Sequence, residues 1–277
     1  MQTIAQSPAH ITGFFKIYSN GSTGAGINLA EGMKTTVSIA NKNEFLFNNK
    51  KIKLVVSEEV VKTYFKKLKE KKFVKVKHET KFPTGYGLGI SGAGALSLSI
   101  ALNKLFELKL KKEEVIEIAK NAEIKCGTGL GDVIAENYTG LMVGAKPYPS
   151  KKAIKIKYKE KNVVLGYFGP ISTKKIIRNK KWKDNINKIG TYCMKKIEKE
   201  KNMKNFIHLS RVFAIESGIA TKNVRNVLAE IPEAGMAMLG ETIFIPTNNP
   251  KKTEKELKKY CKKIFVAKIS EKGAALQ

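Results

Sequence analysis

Long apolar runs and paired cysteines are missing from this sequence of 277 residues. No stretch reaches the roughly 18 apolar residues that a membrane span needs, and the N-terminus lacks the basic region and apolar run of a signal peptide. The three cysteines, Cys126, Cys193 and Cys261, are widely spaced and form no C-x-x-C, so neither a disulfide framework nor a structural zinc site is indicated. We therefore expect a cytoplasmic protein that makes no membrane contact.

Arginine is also scarce, and this scarcity decides how the strongly basic composition is interpreted. Lys and Arg number 52 against 24 Asp and Glu, which gives a formal net charge of +28. Such a charge can indicate a nucleic-acid partner, so an RNA-binding protein is one alternative. The basic residues are nearly all lysines that alternate with apolar positions, as in Ala153 to Lys159, and the sequence offers no aromatic stacking platform. The pattern favours a lysine-rich solvated surface, and we expect no nucleic-acid partner.

Proline occurs only 8 times, and Pro147 and Pro149 interrupt the chain just before a lysine-rich part. The length allows two medium-sized domains with ample material for a packed core. We therefore place a domain boundary at these prolines, with one domain over residues 1–150 and a second over residues 151–277. Strand and helix patterns in the second part predict an α+β domain.

Local signals before residue 80 predict a hairpin, a helix and a strand. Asn48 and Asn49 tolerate left-handed conformations and predict a hairpin turn between strands at 44–47 and 52–56. Ser57 is the predicted N-cap of a helix that runs through about residue 69, because apolar residues recur there at helical spacing. His78 lies on the alternating strand predicted for 73–79, and we interpret it as a structural histidine.

The strongest functional signal is the stretch from Pro83 to Asn103, where a glycine-rich loop runs directly into an apolar helix. Five glycines within ten residues allow positive φ angles and a close approach of backbone N–H groups to a ligand. Because the first N–H groups of a helix lack partners, this junction predicts an anion site suited to phosphate. The loop lacks the lysine of a Walker loop and the acidic residue of a dinucleotide site. A glycine-rich turn that merely leads into a core helix is the alternative.

Three more glycine-rich segments accompany this loop, at residues 20–28, 126–136 and 234–240. The first predicts a turn whose Ser22 and Thr23 suit a small carboxylate or hydroxyl, or else a mobile hairpin loop. The second presents Asp132 before an apolar stretch, either as a helix N-cap or as a functional carboxylate held by a tight turn. The sequence alone leaves both alternatives open.

Taken together, these segments resemble the motifs of the GHMP small-molecule kinases. PTGYGLGISGA is similar to their second motif, P-x-x-x-G-L-G-S-S-A-A, and SPAHITGFF, GTGLGD and AGMAMLGETIF look more specifically like those of the archaeal pantoate kinases within that superfamily. The resemblance covers the chain end to end. It implies a two-domain α+β fold, with an N-terminal domain like the second domain of ribosomal protein S5, a ferredoxin-like C-terminal domain, and an active site between them.

The resemblance also implies an activity. It implies ATP-dependent phosphorylation of pantoate to 4-phosphopantoate with Mg²⁺, a step toward coenzyme A, in a protein that can form a homodimer. A GHMP kinase for a shikimate-, homoserine- or mevalonate-like acceptor is the nearest alternative, because fold alone does not fix the substrate.

Residue roles follow from the same resemblance. Ser91 and Glu123 would hold Mg²⁺, and Asp132 would orient or deprotonate the acceptor hydroxyl. The residues that would contact ATP are Pro83, Gly85, Gly87, Leu88, Gly89, Ser91, Gly92, Ala93, Gly94 and Ala95, with Gly235 and Met236 of the third motif. The residues that would recognise pantoate are His10, Ser22 and Thr23, with Lys146 as a weaker partner for its carboxylate. The chain departs from the superfamily in having one hydroxyl, Ser91, in place of the usual Ser-Ser pair.

Overall fold

The computed structural model describes residues 2–68, 72–129, 131–144, 153–171, 176 and 179–277, and their strands form two sheets. The described strands are β1 (Gln2–Tyr18), β2 (Gly21–Ile39), β3 (Glu44–Phe47), β4 (Lys50–Lys51), β5 (Val74–Glu79), β6 (Leu141–Gly144), β7 (Ala153–Lys155), β8 (Asn162–Pro170), β9 (Gly235–Ala237), β10 (Gly240–Thr247), β11 (Lys263–Lys268) and β12 (Ala275–Leu276). The described helices are α1 (Val55–Leu68), α2 (Ile90–Leu105), α3 (Lys112–Cys126), α4 (Asp132–Ala135), α5 (Lys180–Lys199), α6 (Met203–Glu216), α7 (Lys222–Glu230) and α8 (Pro250–Leu257).

The first sheet is built on the long hairpin of β1 and β2. Its strand order is β12-β1-β2-β5-β3-β4, and β6 pairs with β2 and with β7. All of these pairs are antiparallel except β3 with β5, which run parallel. The register of β1 on β2 shifts between Ser7 and Ala9 and again between Thr12 and Phe14. Such bulges bend a strand and redirect its side chains, and the second one lies beside the site described below.

The segment 20–28 is not the glycine-rich turn that the sequence predicts. The chain turns at Ser19 and Asn20, and β2 begins at Gly21. Gly24 and Gly26 lie where the two strands approach most closely, since a Cβ on either would lie within 2.3 Å of a backbone carbonyl oxygen of β1. Glycine in a strand can mark a close backbone approach as well as a turn, and this ambiguity explains the wrong prediction.

Helices α1, α2 and α3 pack together beside the first sheet. α2 is apolar on nearly all sides and is buried, as its composition predicts. The turn at Asn48 and Asn49 is confirmed, with φ angles of 48° and 62°. The second strand predicted at 52–56 is wrong, because β4 is only Lys50–Lys51 and the chain enters α1 at Val55. The N-cap prediction for Ser57 is wrong, because α1 already begins at Val55 and Ser57 is buried in its first turn. Its hydroxyl bonds to the ring of His78 instead.

The second sheet has the order β11-β8-β10-β9, and each of its pairs is antiparallel. A continuous apolar core extends from the β1–β2 hairpin to helices α5 and α6 and to β10. Phe206 of α6 stands at its centre, with ring centroids 6.0 Å from Phe14 and 5.8 Å from Phe244. The core therefore joins the two sheets and fixes the position of one relative to the other.

Strands β7 and β12 follow residue 150 in the chain and lie in the first sheet. The predicted boundary itself falls within residues 145–152, outside the described residues. The division into 1–150 and 151–277 therefore stays a prediction. Among the helices that the structure describes, none combines the length and the apolar composition that crossing a membrane requires.

Candidate active site

A cavity of about 540 Å³ is lined by residues from the glycine-rich segments. The loop at 83–91 forms its middle. One end, which we call the acid end, holds Asp132 with Thr12 and Ser22. The other, which we call the neutral end after its uncharged buried pair Ser57 and His78, also has apolar side chains, namely Met33, Phe47, Ile52 and Val55, and Lys53 lines the cavity beside Ile52. These apolar wall residues were not identified from the sequence, because they lie on separate strands and a helix start.

The loop at 83–91 enters α2 through three left-handed glycines. Gly85, Gly87 and Gly89 have φ angles of 82°, 74° and 65°, which L side chains rarely adopt. The Ala93 amide makes the first bond of the helix, to the Gly89 carbonyl at 2.9 Å. The amides of residues 90–92 are therefore those of the open first turn, which favours an anion. Pro83, Leu88 and Ser91 also line the cavity.

The glycines of this loop are required for different reasons. A Cβ on Gly87 would lie 2.6 Å from the Met238 carbonyl oxygen, so the third motif packs directly on the loop. A Cβ on Gly94 would meet nothing closer than 3.7 Å, which is ordinary contact. Gly94 lines the cavity, whereas Gly92, Ala93 and Ala95 do not.

Glu123 anchors Ser91 at the start of α2. The Ser91 hydroxyl donates to Glu123 Oε1 at 2.5 Å, and the Thr128 hydroxyl donates to the same oxygen at 2.8 Å. Thr128 reaches it because α3 ends at the left-handed Gly127, which turns the chain back toward the helix. Glu123 is buried, and burial raises the pKa of its carboxyl to about 7, although both hydroxyl bonds act in the opposite direction.

Asp132 is the first residue of α4 and faces Glu123 across a glycine. A Cβ on Gly129 would lie 2.3 Å from Glu123 Oε2 and 3.9 Å from Asp132 Oδ2. Gly131 is the N-cap of α4, so Asp132 does not have the capping role that the sequence left open. The Thr12 hydroxyl, beside the bulge in β1, donates to Asp132 Oδ1 at 3.4 Å. Burial raises the pKa of Asp132, and the nearby His10 opposes this shift.

His10 lies behind the acid end, and Asn28 fixes its tautomer. The amide nitrogen of Asn28 donates to the carbonyls of Ala135 at 2.7 Å and Tyr138 at 2.9 Å. Its oxygen must therefore accept the 2.7 Å bond from His10 Nδ1. Burial lowers the pKa of His10, against the attraction of Asp132. His10 does not line the cavity, so the structure brings it near Asp132 without exposing it there.

Glu136 is an acidic residue that the sequence analysis missed. It is 0% exposed, and neither carboxyl oxygen has a hydrogen-bond partner among the described residues. A Cβ on Gly89 would lie 2.6 Å from one oxygen and a Cβ on Gly92 would lie 3.1 Å from the other. Burial, reinforced by Asp132 and Glu123, holds the pKa of Glu136 well above its usual range, although the nearby Ala93 amide, which bonds to the Gly89 carbonyl, acts in the opposite direction. A buried carboxyl group with a raised pKa therefore lies beneath the loop, and its spacing of four residues from Asp132 was the available signal.

The remaining predicted residues divide by position. Ser22 lines the cavity, and its hydroxyl would be 2.4 Å from a Cβ on Gly131. Thr23 is the next residue on β2, is buried and does not line the cavity. Gly235 and Met236 are buried in β9, and the neighbouring Met238 and Leu239 reach the cavity in their place. Lys146 lies outside the described residues.

Comparisons with known proteins show which proteins this chain is similar to. A model of the GHMP kinases N terminal domain matches residues 54–140. The chain is 34% identical over 248 residues to the pantoate kinase of Methanocaldococcus jannaschii, across 86% of this chain and 90% of that protein. It is 30% identical over 260 residues to the pantoate kinase of Thermococcus kodakarensis, across 86% and 85%. A solved phosphotransferase related to the CoA biosynthesis pathway superposes with a TM-score of 0.87 at 25% identity, across 100% of this chain and 99% of that one.

Proposed function

Because the chain belongs to the GHMP kinases and, within them, to the family of the pantoate kinases, we propose that it phosphorylates pantoate to 4-phosphopantoate with ATP. The observation that carries the proposal is the convergence of Ser91, Glu123 and Asp132 at the open first turn of α2. Phosphoryl transfer depends mainly on positioning and on electrostatic stabilisation. A helix N-terminus, a hydroxyl–carboxylate pair and a separate carboxylate supply the groups that this chemistry needs.

The residues fit the phosphates of ATP. The loop is a cradle that side chains would fill, since Gly87 and Gly89 combine positive φ with contacts that leave no room for a Cβ. The amides of residues 90–92 are available at the helix start. The predicted contacts at Gly85, Leu88 and Ser91 fit the same cradle, and the third motif supports it through Met238.

The residues also fit Mg²⁺. No group of three or more His, Cys, Asp or Glu that could hold a metal occurs in the described part of the chain. Mg²⁺ is commonly bound by one or two protein oxygens together with substrate phosphates, and Ser91 with Glu123 offers such a pair. Bound Mg²⁺ and ATP supply the transferable phosphoryl group and the charge that neutralises it. The chain's own part is to hold the Glu123 carboxylate and the Ser91 hydroxyl 2.5 Å apart.

Asp132 takes the role of orienting or deprotonating the acceptor hydroxyl. Its raised pKa makes the ionised carboxylate a stronger base than an exposed aspartate. Thr12 restrains it from β1, and Ser22 lies beside it as a partner for the acceptor. His10, Thr23 and Lys146 remain proposals for pantoate recognition. A homodimer, a cytoplasmic location and the two-domain division at residue 150 belong to the same proposal.

The test is an acceptor panel. Purified protein is incubated with Mg²⁺ and ATP and with pantoate, shikimate, homoserine, mevalonate or no acceptor, while ADP release and the mass of the acceptor are measured. We expect ADP release with pantoate alone and a pantoate mass increased by one phosphoryl group. The Asp132→Asn variant in the same assay controls for contaminating kinases. Transfer to a different acceptor would discard pantoate, and no transfer to any acceptor would discard the kinase.

A further inference from the structure

A chain of four hydrogen bonds runs from the neutral end of the cavity into α2. Ser57 Oγ lies 2.9 Å from His78 Nε2, and His78 Nδ1 lies 2.7 Å from Thr35 Oγ1. Thr35 Oγ1 lies 2.6 Å from Ser97 Oγ, which lies 2.6 Å from the Ala93 carbonyl oxygen. All four side chains are buried, and only Ser57 and His78 among them line the cavity.

The carbonyl at the inner end of this chain fixes the direction of its bonds. A carbonyl oxygen can only accept, so the single Ser97 hydroxyl proton is donated to Ala93. Ser97 Oγ must then accept from the Thr35 hydroxyl, whose one proton is used in turn. Thr35 Oγ1 must therefore accept from His78, which places a proton on Nδ1.

The same reasoning fixes the direction of the bond between His78 and Ser57 at the cavity. Burial lowers the pKa of His78 to about 4, so the ring is neutral near pH 7 and Nε2 carries no proton. The Ser57 hydroxyl must donate to Nε2. Its only proton is then directed inward, and Ser57 Oγ can offer nothing but lone pairs to a molecule in the cavity.

The neutral end suits a flat ring. Phe47, Ile52 and Val55 form apolar walls, and Ile52 and Val55 are each 46% exposed at the rim. The phosphate cradle lies between this end and Asp132. A nucleotide whose phosphates occupy the cradle and reach toward Asp132 would direct its base toward Ser57.

We propose that Ser57 is a specificity-determining residue, whose acceptor-only hydroxyl favours a nucleobase with an exocyclic amino group over one with a carbonyl in the same place. Thr35 and Ser97 are positioning residues that act through His78. The inference rests on the proposed function, because it takes ATP as the nucleotide. An amino group would donate to Ser57 Oγ, whereas a carbonyl would set two acceptors against each other without a proton between them.

ATP and inosine triphosphate test this, because the purine carbon that carries an amino group in ATP carries a carbonyl in inosine triphosphate. The adjacent ring nitrogen changes with it, from an acceptor to an N–H group, so the Ser57→Ala variant is needed to assign the difference to Ser57. The dissociation constant of each is measured by calorimetry without any acceptor. We expect inosine triphosphate to bind at least roughly tenfold more weakly than ATP, the cost of a buried acceptor left unpaired. Ser57→Ala should bring the ratio close to one. Thr63→Ala, which removes a hydroxyl from the same helix away from the cavity, should leave the ratio unchanged.

Thr35→Val tests the chain itself. It removes the acceptor of His78 Nδ1, so either ring nitrogen can hold the proton and Ser57 can donate or accept. The preference for ATP should fall toward one. Because both nucleotides are measured on one preparation, their ratio does not depend on how much of the variant is folded.

A second readout needs no nucleotide. Nitrogen-15 spectra of labelled histidine distinguish the two tautomers, and the His78 signals are assigned with His10→Gln and His208→Gln variants. We expect His78 to be neutral with its proton on Nδ1 at pH 7. A proton on Nε2, or equal affinity for the two nucleotides, would overturn the inference. Failure of ATP itself to bind would overturn the proposed function along with it.

Discussion

The acid end and the neutral end of the cavity treat their buried ionisable groups in opposite ways. Around the acid end, burial raises the pKa of Asp132 and of Glu123 and Glu136 behind it. Asp132 raises the pKa of the other two further, and His10 lowers that of Asp132. At the neutral end, His78 has no charged group among the causes of its pKa shift and is satisfied at both ring nitrogens. Ionisable carboxyls are therefore gathered where a phosphoryl group would be transferred, and directional bonds between uncharged side chains occur where a base would be recognised.

Asp132 provides the strongest test of this contrast. Asp132→Asn keeps the side-chain shape and an oxygen that can accept from Thr12, but it removes the base. We expect turnover to fall by at least roughly 10²-fold, the lower range for a positioned base, while the affinity for ATP stays within a few-fold. Steady-state kinetics and nucleotide titration measure the two effects. Full turnover in the variant would remove Asp132 from the chemistry.

Glu123 should make stability depend on pH. Its folded pKa of about 7 lies above the ordinary value of 4.5, so the folded state keeps a proton that the unfolded state has released between these pH values. The stabilisation is complete below about pH 4.5 and is lost as pH rises through 7. Glu123→Gln cannot ionise, yet its amide oxygen can still accept from Ser91 and Thr128.

Ionisation of Glu123 should lower the free energy of unfolding of the native protein at pH 8 by on the order of 3 kcal/mol relative to pH 4.5, since each pKa unit corresponds to about 1.4 kcal/mol. Urea unfolding at pH 5 to 8 in metal-free buffer should show the native protein losing stability with rising pH and Glu123→Gln losing much less. Glu117→Gln, on the same helix and exposed, is the control for loss of a surface carboxylate. Parallel curves for the native protein and Glu123→Gln would contradict the raised pKa.

Two glycines of the phosphate cradle should respond differently to the same substitution. Gly87→Ala forces a side chain into a left-handed conformation, which costs about 1–2 kcal/mol, and brings it 2.6 Å from the Met238 carbonyl. We expect ATP affinity to fall by roughly tenfold or more. Gly94→Ala has room and gains helix propensity, so affinity should hold and the melting temperature should not fall. Equal losses in both variants would mean that helix packing, and not loop geometry, governs binding.

The sequence predicted much of this arrangement because several signals were local. The Asn48–Asn49 turn, the apolar helix α2 and the strand that carries His78 each depend on neighbouring residues, and the structure agrees with them. The close positions of Glu123 and Ser91 could be expected only through the family resemblance, because 32 residues separate them. Gly129 lets the carboxyls of Glu123 and Asp132 approach each other, which glycine spacing alone does not reveal.

The features that the sequence analysis did not predict depend on contacts between distant segments. Thr12 reaches Asp132 across 120 residues because a bulge redirects β1, and no local pattern predicts that bulge. Glu136 sits in an apolar run, where its burial depends on Gly89 and Gly92 of another segment. The segment 20–28 was misassigned because glycine serves both turns and close strand pairs, and the choice between them depends on β1.

The placement of residues 20–28 on a strand leads to the prediction with the smallest expected effect. On a turn, Ser22 and Thr23 could both contact an acceptor, but on a strand successive side chains point to opposite faces. Ser22→Ala should raise the KM for pantoate by roughly 3- to 10-fold, the value of one hydrogen bond, with little change in the KM for ATP. Thr23→Val replaces the hydroxyl of the neighbouring residue with a methyl group of similar size, and it should leave both KM values within twofold. If Thr23→Val raised the KM for pantoate as much as Ser22→Ala did, β2 would have to open into the predicted turn when the acceptor binds.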